Sequence, residues 1–307
     1  MKFATWAKTL ICLAALLFSW ASVASAYHFE FGHTAIVPQL SVSEIYDSNI
    51  FRTNDAEEDY VTVLSPGLTV RYDRDDDTYL MASYLPDIYK YMVHSDLNYI
   101  HHVASIEGRY TLPSNFYIRG ADTFVNTEDP TGGDSLYQED VYKVGRWMNT
   151  ANLAASYESE KFGLELLYQN FYQEYFKKEN WHQNYMRHIG EIRAKRRILP
   201  KTSLAATYRL TMTDYVDQNS GDNDVGATSS TSQDGLLHEL LFGATLDATA
   251  KVTGEFFAGI GYKEFSNKRS WTGARYEDAM TWVVRSNLGY ELSELTNMYL
   301  TLERSIR

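Results

Sequence analysis

The feature that most constrains the fold is residues 190–215, GEIRAKRRILPKTSLAATYRLTMTDY, where two alternating runs flank a short turn at residues 199–202. In the second run, apolar and polar or small side chains occupy opposite faces: Leu204, Ala206, Tyr208, Leu210 and Met212 against Ser203, Ala205, Thr207, Arg209 and Thr211. This period of two is the period of a β-strand. Pro200 presets the turn and supplies no donor to the ladder. The stretch therefore predicts a β-hairpin with one apolar face and one polar, charged face.

The same alternation recurs along the chain and predicts thirteen strands. Besides the two strands of the hairpin, they cover residues 36–46, 60–72, 78–89, 100–112, 115–122, 146–157, 162–172, 236–246, 252–262, 282–290 and 298–306. A twelve-residue strand at ~3.3 Å per residue, tilted by ~40°, spans roughly 30 Å, close to the apolar belt of about 25 Å of an outer-membrane barrel. After residue 26 no window approaches 18 consecutive apolar residues, which excludes spanning helices.

Connections of two kinds alternate between these strands. Short turns near residues 75, 114, 160, 200, 249 and 293 alternate with long polar loops, as periplasmic turns alternate with extracellular loops in such barrels. A propeller would need four strands in each period instead of two. The predicted fold class is all-β, a transmembrane antiparallel up-and-down β-barrel. Because thirteen strands leave an unpaired edge and residues 302–307 lack a terminal aromatic residue, we expect fourteen or more strands in the complete protein and a chain truncated at its C-terminus.

The N-terminal residues have the parts of a secretory signal peptide. Lys2 and Lys8 precede an apolar run over residues 10–23, and the small residues of Ala24-Ser25-Ala26 follow it. We expect a signal peptide over residues 1–26 and a barrel, incomplete at its C-terminus, over residues 27–307. The only cysteine, Cys12, falls in the first segment, so no disulfide or cysteine metal site is predicted, and no other metal or cofactor is expected.

The net charge and the aromatic content of the chain limit the kinds of molecule that it is expected to contact. Removing residues 1–26 changes the formal charge from −12 to −14, which argues against nucleic acid. The 24 tyrosines make the chain too aromatic for disorder and predict girdles that contact outer-membrane lipid and lipopolysaccharide in a Gram-negative cell. The predicted girdle residues are Tyr60, Tyr72, Tyr110, Tyr157, Tyr172, Tyr208, Tyr262, Trp282 and Tyr290.

Three segments carry a family resemblance. Residues 46–53, YDSNIFRT, residues 83–91 and the Leu-Pro-Lys-Thr turn at residues 199–202 resemble features of an outer-membrane β-barrel porin family that is often encoded beside exopolysaccharide synthesis and export genes. The resemblance covers nearly all of the chain after residue 26, and its members are longer at the C-terminus. It implies an outer-membrane channel or scaffold, with a polysaccharide or polysaccharide-export proteins as partners, and supplies no catalytic residues.

The strongest predicted site is the barrel lumen. With the apolar faces outward, seven cations point inward, most of them near a short turn: Arg71, Arg109, Arg119, Arg193, Lys195, Arg197 and Arg209. This basic zone would concentrate an anionic sugar polymer. The alternative is that these cations pair with Glu107, Glu165, Glu191 and Glu255 and only brace the wall.

Two other functions remain open. Acidic loops would serve a non-conducting structural or adhesion barrel, with carboxylates able to bind divalent cations: Asp55, Glu57, Glu58, Asp59, Glu128, Asp129, Asp134, Glu139, Asp140, Asp217, Asp222 and Asp224. An outer-membrane lipase or protease would need a histidine beside a nucleophile or carboxylate. His101, His102, His188 and His238 have no Ser or Asp partner at a readable spacing. The sequence therefore predicts no enzyme.

Overall fold

The chain forms one antiparallel β-sheet. The computed structural model describes residues 28–51, 54–129, 144–177, 180, 183–215, 234–246, 252–266, 277–293 and 296–306. Within them lie a short 3₁₀ helix, Ser95–Leu97, and fifteen strands: β1 (Phe29–Phe31), β2 (Thr34–Asp47), β3 (Asp59–Asp75), β4 (Thr78–Tyr84), β5 (Asp87–Tyr91), β6 (Tyr99–Leu112), β7 (Phe116–Thr127), β8 (Arg146–Glu158), β9 (Phe162–Tyr175), β10 (Tyr185–Leu199), β11 (Thr202–Tyr215), β12 (Gly235–Leu246), β13 (Val252–Phe265), β14 (Ala279–Ser293) and β15 (Thr296–Arg304).

Strands that follow each other in the chain lie side by side, from β1 at one end of the sheet to β15 at the other. β4 and β5 are the exception, because both pair with β3 and β6 and together make one interrupted strand. The interruption falls at Leu85 and Pro86, and a proline cannot donate to the ladder. This order is the up-and-down topology that the sequence predicts.

All thirteen predicted strands are confirmed, and the differences lie at their ends. The added elements are the three residues of β1 and the break between β4 and β5. β7 continues to Thr127, and β10 begins at Tyr185 instead of Gly190. The turn of the opening hairpin is tighter than predicted, because Leu199 still pairs with Thr202.

The two faces of the sheet differ in polarity. Large apolar side chains on the outer register are about half exposed, as in Leu166 (45%), Ile192 (51%) and Leu204 (51%). The intervening inner residues are more buried and include Glu191, Ser203 and Thr207. A water-soluble sheet protein has the opposite arrangement, with apolar residues inside. The wall therefore has the apolar-out, polar-in alternation of a membrane barrel.

The inner face of β11 to β14 carries a small apolar core. Ala205, Leu241, Phe257 and Val283 pack there, each at most 6% exposed. Gly259 on β13 faces this side, and a Cβ atom there would collide with the backbone carbonyl of Leu240. Glycine allows neighbouring strands to approach closely, which is how barrels bend their walls.

The connections have two lengths. Two-residue turns at 76–77 and 200–201 join β3 to β4 and β10 to β11, whereas residues 92–98 and 48–58 make longer links at the other end. By this asymmetry the short turns are periplasmic and the long loops extracellular.

Every residue of β15 is exposed, and within the described residues no ladder joins β15 to β1 or β2. No helix among these residues is long and apolar enough to cross a membrane.

Candidate functional site on the inner face

The pairing registers put all seven predicted lumen cations on the inner face. Arg109 faces Arg119 across β6 and β7, and Arg209 faces Glu191 across β10 and β11. Arg193 and Lys195 face Glu165 and Gly163 on β9. The seven cations therefore share the inner register with carboxylates.

Three ion pairs join the centre of this face. Arg209 Nε donates to Glu191 Oε2 at 2.6 Å, and Arg193 Nη2 lies 3.2 Å from Glu191 Oε1. Arg193 also donates to Glu255 Oε2 at 3.2 Å, although β10 and β13 are not adjacent. The guanidinium of Arg193 further covers the ring of Phe257, 5.2 Å from its centre.

A fourth pair crosses β13. Arg285 Nη2 donates to both oxygens of Glu239, at 2.8 and 2.7 Å, and Glu239 is only 1% exposed. The two residues stand on β14 and β12, so the contact passes over β13, where Gly259 and Gly261 present no side chain. These contacts connect six charged residues, which we call the ion-pair layer: Glu191, Arg193, Arg209, Glu239, Glu255 and Arg285.

The cations nearer the short turns are more exposed than the arginines of the ion-pair layer. Arg71 Nε lies 2.8 Å from both oxygens of Asp73, and its guanidinium covers the ring of Tyr79. Three pairs are long, from 3.9 to 4.0 Å: Arg109–Asp77, Lys195–Glu165 and Arg197–Glu158. Exposed Arg119 has no carboxylate within 4.0 Å in the described part of the chain. Cations here retain more freedom to meet a mobile anion than those of the ion-pair layer.

The predicted girdle residues lie mainly at two levels of the outer face. At the level of the short turns stand Tyr72, Tyr110, Tyr157 and Tyr290, and toward the loops stand Tyr60, Tyr172, Tyr262 and Trp282. Tyr208 lies between these levels, and its hydroxyl is 2.8 Å from His238 Nδ1.

Histidines on the outer face share a contact that the sequence did not predict. Besides Tyr208 and His238, the hydroxyl of Tyr84 lies 2.7 Å from His102 Nδ1, and that of Tyr168 lies 2.7 Å from His188 Nδ1. In each pair the residues are diagonal neighbours on adjacent strands, so that one polar group satisfies the other at the lipid-facing surface. The spacing becomes visible only when the strand register is known.

One predicted loop carboxylate has a structural role. Asp59, 1% exposed, accepts hydrogen bonds from the backbone N–H groups of Tyr60, Met92, Val93 and His94. The ring of His94 bridges Asp59 and Glu57, with Nδ1 3.0 Å from Asp59 Oδ2 and Nε2 2.9 Å from Glu57 Oε2. Hydrogen bonds to Asp59 and then to Glu57 raise the pKa of His94. This knot fastens two extracellular loops together.

The other loop carboxylates are only partly described. Tyr46 donates to Glu58 Oε2 at 2.6 Å, and Asp55, Glu128 and Asp129 belong to the described residues. Outside those residues lie Asp134, Glu139, Asp140, Asp217, Asp222 and Asp224. In the described part of the chain, no group of three or more metal-ligating side chains is placed to hold an ion.

Sequence reasoning missed several charged residues of the inner face. Glu239 and Arg285 fall on the polar register of predicted strands, so the alternation alone could have found them. Arg187 and Lys263 lie beyond the predicted ends of their strands, in the segments that β10 and β13 add toward the loops.

An antiparallel wall with an apolar outer face, aromatic levels and a charged inner face defines a transmembrane β-barrel of the porin class. The sequence matches the family described as "Putative beta-barrel porin 2" over residues 29–307, and the chain belongs to that family. Among solved structures, the chain is similar to an outer membrane channel from Pseudomonas putida F1, with 14% identity, a TM-score of 0.38, and coverage of 86% of this chain and 97% of the channel. Curated proteins gave no match. Membership of this family places the protein in the outer membrane.

Proposed function

We propose that this porin is a conduit, or a scaffold for one, in the export of an exopolysaccharide. The observation that carries the conduit is the polar inner face, whose charged side chains extend from the short turns to the loops. The link to polysaccharide is supported by the resemblance of residues 46–53 to a family encoded beside exopolysaccharide genes.

The cations near the short turns give the conduit its selectivity. Arg119 and Lys195 lie on the inner face, and among the described residues neither has a carboxylate closer than 4.0 Å. Cations that line a water-filled passage raise the local concentration of anions. An acidic polymer that arrives from the periplasm would meet this basic zone first.

Single-channel recording tests the conduit. We expect the full-length protein, refolded into planar bilayers, to conduct in potassium chloride and to favour anions more than the Arg193→Gln, Lys195→Gln, Arg197→Gln triple variant does. Arg196→Gln is the matched control, because Arg196 lies on the outer face over the ring of Phe162 and its loss should leave the reversal potential unchanged. Cation selectivity at neutral pH that the triple variant leaves unaltered would refute the basic zone.

The cargo needs a test of its own. We expect deletion of the gene in its source bacterium to lower the polysaccharide recovered outside the cells and to raise the amount in the periplasm. Neighbouring genes for polysaccharide synthesis would agree with this assignment. Unchanged extracellular polysaccharide in the deletion strain would remove the export role while leaving the channel intact.

A second candidate is a non-conducting structural barrel that acts through its loops. The observation that favours it is the filling of the inner side of β10–β14 by the apolar core and the ion-pair layer. No current in any salt from a folded protein would select this candidate. Phospholipase and peptidase assays on the same preparation test the lipase or protease alternative.

A further inference from the structure

A cavity of about 610 Å³ opens above the ion-pair layer on the loop side of β10–β15. We name it the vestibule and define it by six of its lining residues: Arg187, Arg209, Tyr215, Lys263, Phe265 and Arg285. Glu239 also lines it, so the ion-pair layer forms its floor. Ligand pockets commonly measure ~300–1,000 Å³, a volume that holds one to a few sugar rings.

The four cations of the vestibule fall into two classes. Arg209 and Arg285 are each paired, with Glu191 and Glu239 respectively. Arg187 and Lys263 line the same cavity and have no carboxylate within 4.0 Å in the described part of the chain. Two carboxylates also line the cavity, Glu239, which is bonded to Arg285, and Glu303. Because neither lies within 4.0 Å of Arg187 or Lys263, these two cations favour an anionic ligand.

Aromatic rings adjoin both of these cations. The guanidinium of Arg187 lies 5.1 Å from the ring centre of Tyr185, and Lys263 Nζ lies 4.7 Å from that of Phe265. The rings continue across neighbouring strands, with Phe171 and Tyr215 centred 5.2 and 5.7 Å from Tyr185. Aromatic rings offer the flat apolar surface on which a sugar ring can lie, and their hydroxyl groups add polar contacts.

We propose that the vestibule binds an acidic saccharide segment, with its carboxylates on Arg187 and Lys263 and its sugar rings on the adjoining aromatic side chains. The proposal rests on the proposed role in the export of an acidic polysaccharide, and it adds a defined binding point on the extracellular side. A neutral sugar would use only the rings, and a small inorganic anion would use only the cations. Both chemistries together select an acidic saccharide.

Isothermal titration of the detergent-folded full chain with tetragalacturonate, and separately with maltotetraose, tests the proposal. We expect tetragalacturonate to bind at least tenfold more tightly than maltotetraose and to lose affinity as salt rises. The Arg187→Gln, Lys263→Gln variant should bind tetragalacturonate at least tenfold more weakly. Tyr215→Leu should weaken both sugars about threefold, because it removes ring surface and no charge.

Two controls separate a lost site from a lost fold. Arg196→Gln removes a cation from the outer face and should bind as the wild type does. The charge-conserving Arg187→Lys, Lys263→Arg variant should recover most of the affinity. No binding of tetragalacturonate by the wild type, or equal binding by wild type and the Gln variant, would overturn the proposal.

The titration needs no ion current, so the two proposals can fail separately. A protein that binds tetragalacturonate but never conducts keeps the vestibule and loses the conduit. A protein that conducts but does not bind tetragalacturonate keeps the conduit and loses the vestibule site.

Discussion

The ion-pair layer and the vestibule share one inner face but use their charges differently. In the layer, Glu239 and Glu191 are 1% and 8% exposed, and both are bonded to arginines. In the vestibule, Arg187 and Lys263 meet aromatic rings in place of carboxylates. Charges that neutralise each other inside a wall hold it together, whereas cations without counter-charges remain available to a ligand. Substitutions in the layer should therefore affect stability, and substitutions of Arg187 and Lys263 should affect binding.

The largest effect is expected when the buried pair of the layer is broken. Glu239→Gln leaves Arg285 without its carboxylate and should lower the free energy of unfolding by about 3 kcal/mol. Urea unfolding of the protein in detergent micelles, followed by tryptophan fluorescence, measures the change. The double variant Glu239→Leu, Arg285→Met removes both charges and should lie within about 1 kcal/mol of the wild type. A cost below about 1 kcal/mol for Glu239→Gln would show that the layer does not brace the wall.

A pair of adjacent leucines tests whether the layer and the vestibule lie on a water-facing wall. Leu166 is on the outer register and Leu167 on the inner one, where it pairs with Glu191. Leu166→Arg puts a charge into lipid and should cost about 2–4 kcal/mol, whereas Leu167→Arg should cost less than about 1 kcal/mol. Urea unfolding in lipid vesicles gives both values. Equal costs would contradict the assignment of the two faces.

The contacts of His94 with Asp59 and Glu57, at the loop ends of β3 and β5, should depend on pH. The pKa of His94 is raised in the folded protein. The stability that protonated His94 adds is therefore complete at pH values below the unfolded pKa of about 6.5, and it is lost as pH rises through the folded pKa. Hydrogen-exchange mass spectrometry measures the protection factors of residues 92–94. At pH 5.5 these factors should be about tenfold higher in the wild type than in His94→Gln. At pH 8.5 the difference between the two proteins should be less than about twofold.

His33→Gln is the matched control for the knot, because His33 contacts Tyr72 at the opposite end of the wall. It should leave the protection of residues 92–94 unchanged at both values of pH. A wild-type advantage over His94→Gln that stays constant from pH 5.5 to 8.5 would show that the imidazolium charge is not what fastens the loops.

The smallest effect on stability is expected in the vestibule. Arg187→Gln breaks no ion pair in the described residues, so the free energy of unfolding should change by less than about 0.5 kcal/mol. Urea unfolding beside Glu239→Gln gives the comparison directly. A loss of about 2 kcal/mol or more would place Arg187 with the bracing charges and remove the contrast between the two regions.

The strands could be predicted from the sequence because nearly every position on the outer face holds an apolar or aromatic residue. The alternation of Leu204, Tyr208 and their neighbours reports the lipid-facing side one residue at a time, and a slip by one residue would invert both faces. The ends of the strands were less visible. Near the loops, Tyr185 and Arg187 occupy inner positions, and aromatic and charged residues there blur the contrast between the faces.

The partners on the inner face could not be predicted in the same way. Arg193 reaches Glu255 across two intervening strands, and Arg285 reaches Glu239 over the glycines of β13. Such contacts depend on how sharply the wall bends, which the period of two does not encode. The sequence therefore predicts which side chains face inward but not which of their charges neutralise one another.

The most direct test of the account is thiol accessibility during single-channel recording. In a Cys12→Ser background, Thr211→Cys places one thiol in the vestibule wall, and Leu204→Cys places one on the lipid-facing side. We expect a membrane-impermeant cationic thiol reagent to lower the current through Thr211→Cys in a single step and to leave Leu204→Cys unchanged. Block of Leu204→Cys, or a current through Thr211→Cys that the reagent does not alter although mass spectrometry shows the thiol modified, would contradict a conduit lined by the inner face.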